Sequence, residues 1–442
     1  MSYILAILLL FMSLWVFFQK GDRKIFPFFI YAICLSGVSV TLFPTTIINV
    51  SVSFFLSILL CWKSFYQSIN QTILWWLILL MLTATFVLWL HSPHYGGILG
   101  LLRMLKIEII EKYLVICYAF YIFKNSNSLN KLLIVCFYSL LVLTFFGILN
   151  MLFGHAIFVD WALEGTTELS KLNQDAGSKF ELSERFRVMA MHPNPFNYGF
   201  ICSLLLILFI YGRDKIKISK YIFYLSLLCC VFGIVVCGCR TIIAISLIGF
   251  FVYYTLTRGF RKSLLFYICF FLLFVLILVL SPSMVEKLNF FMTIFDEKSN
   301  VSGSSDLNMR AGQFASVIYY IRENFLFGLG KDYFYIDLDW NSGKSTDKEL
   351  FGMEGVYLDL LLERGFVGLL FYLFFWSILL CKYVYSIRMN KLASALGLSI
   401  VSSYLVFAIM TGELYSVLPT LLLCGYAMAE IYKCKISNQA IG

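Results

Sequence analysis

A chain of 442 residues with 61% hydrophobic and only 13% charged side chains carries too little charge to cover the surface of a soluble domain. Its net charge of +9 invites a nucleic-acid partner, but the basic residues are spread in short clusters between apolar runs rather than gathered on one folded face, which excludes that reading. The thirteen cysteines fall in or beside those runs, so no disulfide framework is expected, and the one close pair, Cys237-Gly238-Cys239, lacks partners at metal-ligand spacing.

Runs of roughly 20 residues with almost no charge recur from end to end, each long enough to cross a bilayer. They cover 3–19, 25–43, 46–62, 72–90, 106–123 and 131–153, then 195–212, 220–239, 241–257 and 263–281, and last 365–383, 392–412 and 414–432. The fold expected over 1–442 is a single all-α polytopic membrane domain with about 12–13 transmembrane helices. The first run has no basic residue before it and Lys20, Arg23 and Lys24 after it, an order that argues against a cleavable signal and places the N-terminus outside. With that orientation the basic clusters at 20–24, 213–217, 258–262 and 433–435 all fall inside, while Arg240 stands in an outer turn. The fifth run is the least regular. Arg103, Lys106, Glu108, Glu111 and Lys112 crowd its start, as in an interfacial helix on the outer face.

Two long polar segments interrupt the runs, 154–194 and 282–353. Four spans lie between them, so both emerge on the outer face and can meet there. The second contains an expected helix over 309–325, with Phe314, Val317, Ile318, Ile321 and Phe325 at helical spacing and Arg310 one turn earlier on the same stripe.

Four arginines then carry the chemistry. Arg185 and Arg187 stand where the first outer segment returns to the membrane, just before His192-Pro193-Asn194-Pro195; Arg240 opens a span at its outer end; Arg310 opens the loop helix. Guanidinium is always charged, and its fork of donors matches phosphate oxygens. Taken singly, Arg187 or Arg240 is also explained by snorkelling to lipid headgroups. Several arginines on one face point instead to an anion site, with His192 as a neighbouring donor. Glu354, ending the second segment beside an apolar stretch, is either a general base with a raised pKa or an ordinary acid at a helix start. Glu363 and Arg364 read as structural groups at the interface. Pro93 spoils a metal-ligand spacing between His91 and His94, and no metal is expected. Gly328-Leu329-Gly330-Lys331 is too short for a nucleotide-binding loop and lies outside, and no acidic pair stands inside to hold the metal of a sugar-nucleotide enzyme. A donor used there has to bring its own leaving group, as a polyprenyl diphosphate sugar does.

The order of these landmarks resembles the O-antigen polymerase and ligase superfamily, the Wzy-type membrane glycosyltransferases. The matching features are Arg185 ahead of Pro193-Asn194, Cys239-Arg240-Thr241 at an outer helix end, Arg310, Gly328-Leu329-Gly330, and the run Tyr357-Leu358 through Leu361, Glu363, Gly365 and Gly368. Family members often have glycine three residues after the first arginine, where this chain has Val188. Ligase-like members have His-Asn before the Tyr-Leu run, where it has Glu354-Gly355, which weakens a ligase more than a polymerase. The resemblance implies a GT-C-like membrane enzyme that needs no cofactor. It would transfer growing glycan from undecaprenyl diphosphate to the next lipid-linked repeat unit, building O-antigen or capsule on the outer face of the inner membrane. In that scheme Arg185, Arg187, Arg240 and Arg310, with His192 and Asn194, hold the diphosphate. Glu354 accepts the hydroxyl proton, Arg185 and Arg240 also stabilise the departing charge, and Tyr357 positions the acceptor. The partners implied are membrane lipids, a chain-length regulator and a flippase. A ligase moving finished glycan, or a flippase for the same lipids, are the alternatives; a flippase should carry charge at mid-membrane and short loops.

Overall fold

The computed structural model describes residues 2–19, 21–36, 50–70, 72–126, 128–158, 187–192, 194–216, 218–265, 267–268, 307–338, 350, 355–410 and 416–441. Among these residues every regular element is helical. Among the described residues seven helices are long and apolar enough to cross a membrane: Ile73–Leu90, Leu129–Phe153, Pro195–Lys215, Arg240–Arg258, Val356–Ser386, Lys391–Met410 and Val417–Ser437. The shorter apolar helices Ile7–Phe18, Ile25–Leu35 and Lys220–Val236 fall on three further expected runs. Most of the run 263–281 lies outside the described residues, as does most of 154–194 and of 282–353. The fold is the expected all-helical polytopic membrane protein.

Two expected spans take a different form. The run 46–62 does not continue straight; Val50–Leu59 is followed, across a 96° bend, by Trp62–Ile69. Lys63, Ser64 and Gln67 make the second piece amphipathic, exposing these polar side chains and burying Phe65 and Ile69 against the bundle. The run 106–123 is a π-helical segment, Leu105–Tyr113, leading into the α-helix Leu114–Lys124. The surface helix is the preceding Gly97–Met104, which exposes Ile98, Leu99 and Leu102, whereas Glu108 is buried. Wide π turns admit a side chain that ordinary helical packing would not, and they recur at functional positions.

Side-chain contacts sort into two ends of the bundle, as alternating crossings require. At one end Arg258 pairs with Asp214 at 2.8 Å, Lys433 pairs with Glu430 at 2.6 Å, Lys215 also pairs with Glu430, and Lys124 lies over Tyr432. These are the basic clusters read as cytoplasmic. At the other end the 91–95 turn meets residues 327–337: His91 stacks on Phe327, Ser92 Oγ accepts from the Lys331 amide, and His94 bonds Asp337 at 2.7 Å. The described part of the second long polar segment therefore packs on the 91–95 turn at this end.

The helix Val356–Ser386 is broken at Gly365, whose φ of 61° and ψ of −165° no helix contains. The break frees backbone groups, and residues of the second polar segment take them. Phe366 and Val367 donate to the carbonyls of Phe325 and Leu326, both at 2.9 Å, while Leu329 and Gly330 donate to those of Leu362 and Glu363, both at 2.9 Å. Four cross-segment hydrogen bonds replace the missing turn. The limb Val356–Arg364 is thus held at its base by this clasp more than by the helix it continues. Val317 and Ile321 of the helix Leu307–Ile321 pack on its Leu361 and Leu362. Phe314 and Phe325, expected on the same buried stripe, are exposed at that helix and beyond its end; Phe325 stacks instead on Phe366.

Candidate functional site

Arg240 is the first residue of the helix Arg240–Arg258. A cation there opposes the helix dipole and gains nothing from it, so its presence calls for another cause. Beside it, the Val188 amide donates to the Val236 carbonyl at 3.3 Å and brings Arg187 over the turn at Gly238. A Cβ at Gly238 would lie 3.2 Å from the Arg187 Cγ. Two guanidinium groups thus flank a helix N-terminus whose first amides lack intrahelical acceptors. The Thr241 hydroxyl, in the same turn, is buried with no hydrogen-bond partner among the described residues. In the sequence Thr241 stands only as part of Cys239-Arg240-Thr241, with no role of its own.

The helix Arg240–Arg258 runs antiparallel to Lys391–Met410, with Gly249 facing Ser403 halfway along and Lys391 donating to the Thr257 carbonyl at 3.3 Å, so Arg240 and Met410 share the opposite end. Arg310 reaches that end. Its Nη1 contacts the Met410 Sδ at 3.2 Å and its Nη2 donates to the Met410 carbonyl at 3.4 Å. Tyr357 donates to the Leu405 carbonyl at 3.3 Å, and Gly355 lies against the Ile409 carbonyl. Arg187, Arg240, Arg310 and Tyr357 are therefore gathered around the same two helix ends. Arg185 and Glu354 lie outside the described residues; in sequence they adjoin Arg187 and Gly355.

His192 and Asn194 take interior roles. His192 is fully buried, and burial pushes its imidazole down to about 4 in spite of backbone contacts to Ser36 and Ile33 that raise it, so the ring is neutral. Its Nδ1 faces the Ser36 carbonyl at 3.4 Å, which makes Nδ1 the donor and leaves Nε2 a bare acceptor without a partner among the described residues. Asn194 caps the helix Pro195–Lys215, its Oδ1 accepting from the Phe196 amide at 2.8 Å with Pro195 at the first helical position. Asn194→Ala is expected to cost about 1 kcal/mol of stability, read by thermal melting in detergent.

Behind the arginines lies a charged cluster that the sequence reading treated as interface structure. Arg364 Nη2 bonds the Glu108 carboxylate at 2.8 Å, with the two side chains only 6% and 2% exposed. The other Glu108 oxygen accepts from Lys112 at 3.1 Å. Lys331 Nζ bonds both oxygens of Glu363, at 3.0 and 2.9 Å, and the Asp332 amide donates to Glu363 at 2.9 Å. Tyr95 donates to Asp332, and burial together with that carboxylate pushes its phenol well above the usual range, so it remains the donor. Burial alone would lower the Lys331 pKa, but Glu363, Glu108, Asp359 and Asp332 outweigh it and hold the ammonium well above its ordinary value. A lysine with a raised folded-state pKa stabilises fully below its unfolded value of about 10.4 and loses that contribution only as pH climbs through the raised one, so its charge is constant at any physiological pH.

The fold and these gathered side chains define a polytopic membrane protein with one polar, arginine-bearing end. Residues 225–373, about a third of the chain, match the family model described as O-antigen ligase. The match takes in Arg240, Arg310, Tyr357 and the whole clasp at 325–331 and 362–367, while Arg187, His192 and Asn194 precede it. No curated protein matches the chain. That match supports a membrane glycosyl-transferring activity of the polymerase or ligase type, for which lipid-linked oligosaccharides and membrane lipids are the implied partners.

Proposed function

We propose that this protein polymerises oligosaccharide repeat units carried on undecaprenyl diphosphate, at the extracytoplasmic face of the inner membrane, into O-antigen or capsule. The observation that supports it most is the gathering of Arg187, Arg240 and Arg310 around the outer ends of Arg240–Arg258 and Lys391–Met410. An acceptor hydroxyl attacks the anomeric carbon of the donor, a new C–O bond forms, and the bond to the diphosphate oxygen breaks. The lipid diphosphate leaves with the electron pair. Guanidinium groups and helix amides stabilise that departing charge without a metal ion. Glu354, with Arg185 at the other margin, completes the proposed machinery by accepting the hydroxyl proton, and Tyr357 orients the acceptor sugar. A chain-length regulator and a flippase are the proposed partners.

Glu354-Gly355 in place of the His-Asn of ligase-like members favours polymerisation over ligation. A deletion strain separates the readings. Loss of a polymerase leaves single repeat units on the surface glycolipid; loss of a ligase or of a flippase leaves none. The expected result is single units, and their absence would overturn the polymerase assignment.

A further inference from the structure

We infer that Glu108 and Glu363 are positioning residues for the proposed transfer, acting through Arg364 and Lys331 to fix the angle of the outer limb Val356–Arg364. The inference rests on the polymerase reading and names what holds that reading's acceptor side in place. The limb is short and its base at Gly365 is not helical, so the span that follows cannot set its orientation. Backbone bonds to Phe325, Leu326, Leu329 and Gly330 locate the base but leave rotation about the limb axis to the side chains.

Consecutive helical residues project about 100° apart. Glu363 and Arg364 are consecutive, and each is held by a different element: Glu363 by Lys331 and the Asp332 amide on the second polar segment, Arg364 by Glu108 on the π-helical segment Leu105–Tyr113. A single pair would allow the limb to swing about that contact, whereas two diverging pairs pin it. At the far end of the same limb Tyr357 reaches Leu405 and Gly355 rests on Ile409, where Arg310 meets Met410. A turn of about 10° at the base moves a side-chain tip there by about 1 Å, and an error of about 1 Å in reacting geometry costs on the order of 100-fold in rate.

Stability alone does not call for charge here. A buried ion pair is on balance no more stabilising than apolar side chains of similar volume, although removing one partner is costly. What the pairs add is direction. A π-helical segment and a broken helix, two departures from regular structure, also meet at the Glu108–Arg364 contact.

The test uses purified full-length protein in liposomes with a lipid-linked single repeat unit, reading kcat, KM for that unit and the melting temperature. The double variant Glu108→Leu with Arg364→Met removes both charges together, and Glu108→Asp keeps the charge but shortens the reach. Each is expected to melt within about 3 °C of wild type, with kcat lowered roughly 10- to 100-fold and KM within about 3-fold. Wild-type kcat in Glu108→Asp, or in a double variant that folds, would overturn the inference and leave the pairs a purely structural role. If the double variant does not fold, Glu108→Asp decides alone. Failure of the wild-type protein to extend any glycan would instead overturn the polymerase reading beneath it.

Discussion

Arg240→Ala and Arg187→Ala are each expected to leave a folded membrane protein whose kcat for chain extension falls about 100- to 1,000-fold, the loss typical of removing one group aimed at developing negative charge. Arg240 opens its helix against the dipole, and Arg187 is carried over the same turn by the Val188 amide, so the helix dipole favours neither cation there. Melting temperatures should therefore stay close to wild type. Arg240→Lys keeps the charge and loses the planar fork, and its rate should fall between those of the wild-type protein and the alanine variant. The readout is the glycan ladder from a complemented deletion strain, with membrane abundance of the variant as the control. Full-length polymer from both alanine variants would remove the case for an anion site at these helix ends.

How much of this could be read in one dimension depends on the range of the interaction. The spans were legible because apolar runs of membrane length are a local property, and Lys20, Lys215, Arg258 and Lys433 mark one side of each crossing. Topology then did what proximity in sequence could not. Arg187, Arg240 and Arg310 each follow or open a span at the same face, and alternation alone brings them to one end of the bundle. The bend after Leu59 and the π-helical segment at Leu105 were not legible, because each is decided by packing against neighbours. Nor were the pairs of the clasp. Glu108 and Arg364 are 256 positions apart, and a charge in an apolar run looks the same whether it faces headgroups or a partner. His192 shows the converse limit of sequence distance: arginines stand near it in the chain, but in space its Nδ1 faces the Ser36 carbonyl.

The clasp itself yields the largest expected effect on stability. Gly365 holds φ 61° and ψ −165°, a conformation essentially restricted to glycine that costs a side chain about 1–3 kcal/mol. A Cβ there would also meet the Gly328 amide and come within 2.6 Å of the Leu326 carbonyl, and backbone cannot rotate aside as a side chain would. Gly328 is the other half of the contact, with φ 73° and a Cβ that would lie 2.7 Å from the Arg364 amide. Gly365→Ala and Gly328→Ala are each expected to destabilise the protein by about 3 kcal/mol or more, since strain and lost cross-segment hydrogen bonds act together. Because both break one clasp, the double variant should fall well short of the sum of the two. Gly96→Ala is the control: its φ is −62° and nothing stands within 4 Å of the added Cβ, so it should melt as wild type. Thermal melting in detergent reads all four proteins, and limited proteolysis should find new cleavage near 325–331 in the clasp variants alone. Wild-type melting of Gly365→Ala would mean that neither backbone strain at this break nor loss of its cross-segment hydrogen bonds destabilises the fold.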